Sequence, residues 1–142
     1  MKDKLFNLNE KEKNSLLKRV KEFLEQDPLI AFAYVHGSFL KGEFRDIDLA
    51  IYLFGKPTAR EALDMELTLE ETLSSSLGYP FDVKVLNLSS LSFKFNVIKE
   101  GCLLFSKDED LRADFFTLVV REYHDFEYFR KIYLKEAMGL EV

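Results

Sequence analysis

The sequence predicts an α+β domain: a small mixed β-sheet with helices packed on it and a long C-terminal helix. Three observations carry that expectation. Segments with apolar residues at helical spacing alternate with short runs rich in β-branched and aromatic residues, in the order α-β-β-α-β-α-β-α. Each such element is apolar on one side and must bury it, which favours helices laid against a sheet. The connection between the first two strands is too short for a parallel crossover, so those strands should pair antiparallel. With 142 residues, 47% hydrophobic and 32% charged, the chain suits one domain with one core. We expect that domain to span 1–142, with its core at about 29–106.

The first helix is expected at 10–25, capped by Asn9 or Asn7. Leu16, Leu17, Val20, Phe23 and Leu24 give it one apolar face. Asp27-Pro28 stops it. The strand that follows, 29–36, is nearly all apolar and so should be buried on both faces. Gly37-Ser38 breaks it. A short segment, 39–45, leads to a second strand at 46–54, closed by the turn Gly55-Lys56-Pro57. Thr58 can cap a helix over 59–77, which Gly78 ends. Tyr79-Pro80 leads into a third strand at 81–86. Ser89 or Ser90 can cap a helix running to Lys99, with Gly101 after it. Residues 102–105 read as a short fourth strand. Asp108 or Asp110 opens the last helix, over about 108–138, with Gly139 closing it and a bend near 123–125 as one of two readings.

Bulk properties exclude some functions. The net charge is −5, which suits a large polynucleotide partner poorly and leaves room for a small anionic substrate. The single cysteine, Cys102, allows no internal disulfide and no cysteine-based zinc site, and reads as a buried small apolar side chain. The first residues lack an apolar signal core, and the longest apolar stretch, 29–35, is far too short to span a bilayer. A cytoplasmic protein is the expectation.

The chemistry concentrates between the first and third strands. Side chains alternate along a strand. In the second strand Ile47, Leu49, Ile51 and Leu53 form one apolar row, so Asp46 and Asp48 fall together on the other face. In the third strand Phe81, Val83 and Val85 form the apolar row, so Asp82 and Lys84 point oppositely. If these strands are neighbours, three carboxylates converge, and their repulsion favours a bound cation. Oxygen ligands of this kind suit Mg²⁺. Gly37-Ser38 follows a strand, where backbone N–H groups can approach phosphate, and the Ser38 hydroxyl adds a donor. Lys41 and Arg45 lie in the same connection and can pair with triphosphate oxygens.

Gly37-Ser38, a loop containing Gly42, then Asp46-Ile-Asp48 leading an apolar strand resembles the signature of the DNA polymerase β-type nucleotidyltransferases. The short chain is similar to their minimal nucleotidyltransferase (MNT) branch. Phe81-Asp82-Val-Lys-Val-Leu-Asn87 looks like the strand that supplies the family's third carboxylate. The resemblance covers about 29–87 with specific motifs, and the order of elements stays compatible to Phe105. It implies the polymerase β-like fold. It also implies a reaction in which a nucleoside monophosphate, AMP if the donor is ATP, passes to a hydroxyl acceptor. Asp46, Asp48 and Asp82 would be the catalytic, metal-holding residues, with two Mg²⁺ ions. Gly37, Ser38, Lys41 and Arg45 would hold the triphosphate. Minimal nucleotidyltransferases are often paired with a small helical HEPN protein as antitoxin and toxin, so the resemblance also implies a HEPN-type partner. The chain departs from the family in two places. Only seven residues separate Ser38 from Asp46, a shorter connection than the common form, and Arg45 replaces a small polar residue.

Other readings stand beside these. The chain can be a binding module that keeps the fold without turnover and neutralises a partner by occlusion. Asp46 and Asp48 can be a solvated strand start, and Asp82 can simply pair with Lys84. His36 reads as a hydrogen-bonded structural histidine near the site, and His124 has no ligand-like partner in sequence. Phe115, Phe116, Tyr123, Phe126, Tyr128, Phe129 and Tyr133 occupy more of the last helix than one face can bury. Either the helix bends over them, or some form a surface for a partner or a second copy.

Overall fold

The computed structural model describes residues 4–139; the expected domain limits, 1–142, include six residues outside them. The elements are α1 (Glu10–Glu25), β1 (Ile30–His36), β2 (Ile47–Leu53), α2 (Ala59–Leu77), β3 (Phe81–Val85), α3 (Leu91–Glu100), β4 (Cys102–Ser106) and α4 (Glu109–Met138). Two single turns of 3-10 helix, Gly37–Leu40 and Leu86–Leu88, follow β1 and β3. The expected α+β class and order of elements are both present.

Local chemistry sets the helix ends. Asn9 accepts from the Glu12 N–H while Glu12 accepts from the Asn9 N–H, a reciprocal capping box that opens α1. Thr58 and Glu61 do the same for α2, and Gly78 ends that helix in the left-handed conformation. Ser90 caps α3 and Asp108 caps α4.

The sheet order is β3-β2-β1-β4. β1 pairs antiparallel with β2 and with β4, while β2 and β3 run parallel across the α2 crossover. The sheet is therefore mixed. It has a core on each face. On one, Leu16, Val20 and Leu24 of α1 and Ala62, Leu69 and Leu73 of α2 meet the row Ile47, Leu49, Ile51, Leu53 and the row Phe81, Val83, Val85. On the other, Val97 of α3 and Phe115 and Val119 of α4 pack on Phe32, Tyr34 and Ala50. β1 lies between two strands and two helical layers, which is why its residues Ile30–Val35 are fully buried.

β3 is an edge strand, and α2 covers its free edge with acceptors. The Val83 and Val85 N–H groups donate to Glu70 and Glu66, one helical turn apart, each at 2.8 Å. This blocks pairing with another strand.

Four expectations change. β2 begins at Ile47, so Asp46 belongs to the turn before it. The segment after β1 is a 3-10 turn, and Phe44 forms a two-bond bridge to Phe6 that ties the N-terminal segment over the connection. Cys102 is exposed because it starts an edge strand; Phe105 takes the buried position. α4 runs 30 residues without interruption. No Pro or Gly lies within it to cause a kink. Its apolar face therefore continues past the sheet, leaving Phe126, Tyr128, Phe129 and Tyr133 between 50% and 65% exposed. Phe115 is buried, Phe116 is exposed, and Tyr123 stacks on Phe95 of α3.

Candidate active site

The sheet register builds the site. Asp48 of β2 is the direct partner of Asp82 on β3 and of His36 on β1. Three strands thus place Asp82, Asp48 and His36 in one row across one face. Asp46 precedes Asp48 by two positions and joins the cluster from the turn. One carboxylate oxygen from each of Asp46, Asp48 and Asp82 can be chosen so that all three lie within 4.8 Å of one another. All three side chains are half-buried.

Gly37 makes the cluster possible. Its φ is +81°, a left-handed conformation that side-chain-bearing residues rarely adopt. A β-carbon there would overlap the Asp48 carboxylate oxygen Oδ2. The Asp48 carboxylate is therefore packed directly against the backbone of the turn. Gly101 has a similar part behind the site. A β-carbon on it would lie 2.5 Å from the Val97 carbonyl oxygen and 3.0 Å from that of Val35, so only glycine lets the end of α3 sit this close to β1.

The electrostatics follow from that crowding. Burial pushes the Asp48 carboxyl up to about 6, and the neighbouring Asp46 and Asp82 charges push the same way; Lys84 opposes them. Lys84 Nζ lies 3.6 Å from Asp82, with the two side chains 52% and 42% exposed. The Asp82–Lys84 pairing is thus present, and at that exposure it contributes little. It also leaves two other carboxylates without a cation.

His36 departs from the sequence reading. Its Nε2 is buried with no hydrogen-bond partner, and its ring meets Phe93 edge-on at 5.4 Å between centroids. Burial lowers its pKa, and Asp82 pulls in the other direction. Its ring packs on an aromatic, and its Nε2 lacks the hydrogen bond that the sequence reading expected.

Gly37, Asp46, Asp48 and Asp82 come together. Ser38 sits exposed on the turn, whose backbone is closed by the Lys41 and Gly42 N–H groups donating to the Ser38 carbonyl at 2.9 and 3.2 Å. Lys41 and Arg45 are exposed and make no ion pair among the described residues. Lys41 lines a groove with Leu8, Glu10 and Lys13 that none of the three carboxylates enters. Sequence reasoning missed the His36–Asp48 pairing and the contact of Phe93 with His36. The first was within reach: an antiparallel hairpin folded about residues 37–45 places position 36 opposite 48.

Three carboxylates on a half-buried patch form a donor set for a hard divalent cation. The Asp48 carboxyl is raised first by burial and then by its two acidic neighbours, so a bound cation would relieve the second cause. The residues present fit such a cation.

Comparison with known proteins follows the same line. The family profile described as "Polymerase beta, Nucleotidyltransferase" matches residues 18–110. No curated protein matches the sequence. Among solved structures, the chain is similar to one from the complex of a tri-AMPylated Shewanella oneidensis HEPN toxin with an MNT antitoxin. The two are 17% identical with a TM-score of 0.66, over 89% of this chain and 98% of that one. It is also similar to a chain of the MntA-HepT toxin-antitoxin crystal structure, at 18% identity and a TM-score of 0.63, over 92% and 99%. A chain of a toxin-antitoxin structure with AMP-PNP gives 21% identity and a TM-score of 0.61, again over 92% and 99%. These likenesses establish the fold. The profile match spans most of the chain, including every strand of the sheet, and by it the chain belongs to the polymerase beta nucleotidyltransferase family.

Proposed function

We propose that this chain transfers AMP from ATP to a hydroxyl of a partner protein, as the antitoxin of a toxin-antitoxin pair, in the cytoplasm. The observation that carries this reading is the meeting of Asp46, Asp48 and Asp82 beside Gly37. The solved relatives support the nucleotide and the setting, since one contains a tri-AMPylated HEPN toxin and another AMP-PNP. One domain, 1–142, would carry the whole apparatus.

Asp46, Asp48 and Asp82 would hold Mg²⁺, in the pattern of two ions. Bound there, the metal would stabilise charge on the phosphate oxygens. The Ser38 hydroxyl and the backbone N–H groups of the turn would hold the triphosphate, with Lys41 and Arg45 reaching it from the exposed connection. Asp82, at the open edge of the row, would take the proton from the acceptor hydroxyl. The acceptor oxygen then bonds to the α-phosphorus, the bond from that phosphorus to the β-phosphate oxygen breaks, and pyrophosphate leaves. The exposed aromatics of α4 would dock the partner.

Intact-mass spectrometry of the protein encoded beside this one, after incubation with the enzyme, ATP and Mg²⁺, tests the reading. Added mass in whole AMP units supports it. An unmodified partner that still binds the chain supports the second reading, a module that acts by occlusion. The short connection between Ser38 and Asp46 and the exposed α4 aromatics are the features that favour that alternative.

A further inference from the structure

Lys13 is the one lysine of α1 that is not exposed. Its ammonium donates to the Phe39 carbonyl at 2.5 Å and to the Gly42 carbonyl at 2.7 Å. The same nitrogen lies 4.9 Å from the Phe39 ring centre and 5.5 Å from that of Phe44. Both rings belong to fully buried side chains that meet each other edge-on. The charge therefore sits in a cup of two carbonyls and two aromatic rings, and it forms no ion pair among the described residues.

The two carbonyls come from the turn and connection that follow β1. A peptide unit is planar and trans, so its N–H points opposite to its C=O. Fixing the Phe39 and Gly42 carbonyls toward α1 fixes the Leu40 and Glu43 N–H groups away from it. The turn is thus held at two places: Asp48 packs against Gly37 at its start, and Lys13 grips its carbonyls further on. The Phe6–Phe44 bridge secures the end of the connection but bonds neither of the carbonyls that Lys13 holds.

We infer that Lys13 is a positioning residue for nucleotide binding, setting the backbone of the Gly37–Gly42 turn from behind while it takes no part in the chemistry. The inference rests on the proposed function, which assigns that turn to the triphosphate. An apolar side chain of similar length would leave both carbonyls to water and let the turn relax. Arginine retains the charge and the donors.

The test compares wild type, Lys13→Met and Lys13→Arg in two measurements. Amide hydrogen exchange should speed up at Leu40 and Lys41, which lie in the hydrogen-bonded turn, in Lys13→Met while the sheet amides keep their protection. Affinity for AMP-PNP with Mg²⁺, by calorimetry, should fall at least about tenfold in Lys13→Met and recover most of that in Lys13→Arg. Unchanged exchange at Leu40 and Lys41 overturns the positioning. Faster exchange with unchanged nucleotide affinity overturns its link to binding. If wild type binds no Mg²⁺-nucleotide, the functional reading and this inference both fall. If wild type binds and Lys13→Met binds equally well, only the inference falls. Should Lys13→Met unfold, Lys13→Gln, which keeps an N–H donor group without the charge, gives an intermediate loss under the inference and none without it.

Discussion

The Asp48 carboxylate lies against the α-carbon of Gly37, so that no larger residue fits between the turn and the second strand. Under the proposed function, this contact would couple the carboxylates assigned to the metal to the turn assigned to the triphosphate. It predicts that Gly37→Ala displaces Asp48 and strains a backbone at φ +81°. The expected cost is about 1–3 kcal/mol of stability, with transfer reduced at least a hundredfold. Urea denaturation and the transfer rate check the two parts separately.

Neutralising the cluster separates activity from fold. Asp46→Asn with Asp48→Asn should abolish transfer, leave partner binding intact and raise the melting temperature in metal-free buffer, because like charges no longer face each other. Thermal melts with and without Mg²⁺ check this. Mg²⁺ should raise the melting temperature of wild type and leave the double variant unmoved.

The pH dependence has a definite sign. In the folded protein the Asp48 carboxyl titrates near 6, against 3.8 for an unperturbed one. Between those values the folded state binds more protons than the unfolded, so stability from this group is present on the acid side and lost as pH rises through about 6. In metal-free buffer, Asp48→Asn should match wild type near pH 4 and exceed it in stability above pH 6. Denaturation curves at the two pH values decide it. Cation binding must displace the same proton, so Mg²⁺ affinity should weaken below about pH 6.

The end of α4 is predicted to act in binding alone. Phe126→Ser with Phe129→Ser removes two rings that are at least half exposed, so the melting temperature should barely change. Partner binding should fall by at least tenfold, the scale of truncated aromatic anchors. Sedimentation of the isolated chain shows whether a second copy covers the same stripe.

Glu70 should matter to the sheet edge. Glu70→Leu leaves the half-buried Val83 N–H without its acceptor and should cost about 1–3 kcal/mol, while Glu70→Gln keeps an acceptor and should cost less. Chemical denaturation checks the ranking.

Much of this was legible in the sequence because it depends on alternation and on caps. The two-residue period of β2 and β3 set Asp48 and Asp82 opposite the apolar rows, with Asp46 joining them from the turn before β2, and Thr58 and the pairs Asn7/Asn9 and Ser89/Ser90 marked helix starts by local chemistry. Tertiary relations were not legible. The contact of Lys13 with Phe39 spans 26 positions and leaves no periodic trace. Cys102 read as buried because its composition said so, whereas its place at the start of an edge strand decided otherwise. A bend in α4 was the reading in which the domain itself covers every aromatic, and exposure of some was the other. An uninterrupted helix simply leaves them exposed.

The most direct measurement of the central claim follows the position of the label in ATP. The protein, its partner and Mg²⁺ are incubated in parallel with ATP labelled at the α- or the γ-phosphate. The account predicts label on the partner from the α-position alone, lost when Asp46 and Asp48 become asparagine. Label from the γ-position, or none from either with Mg²⁺ present, would contradict it.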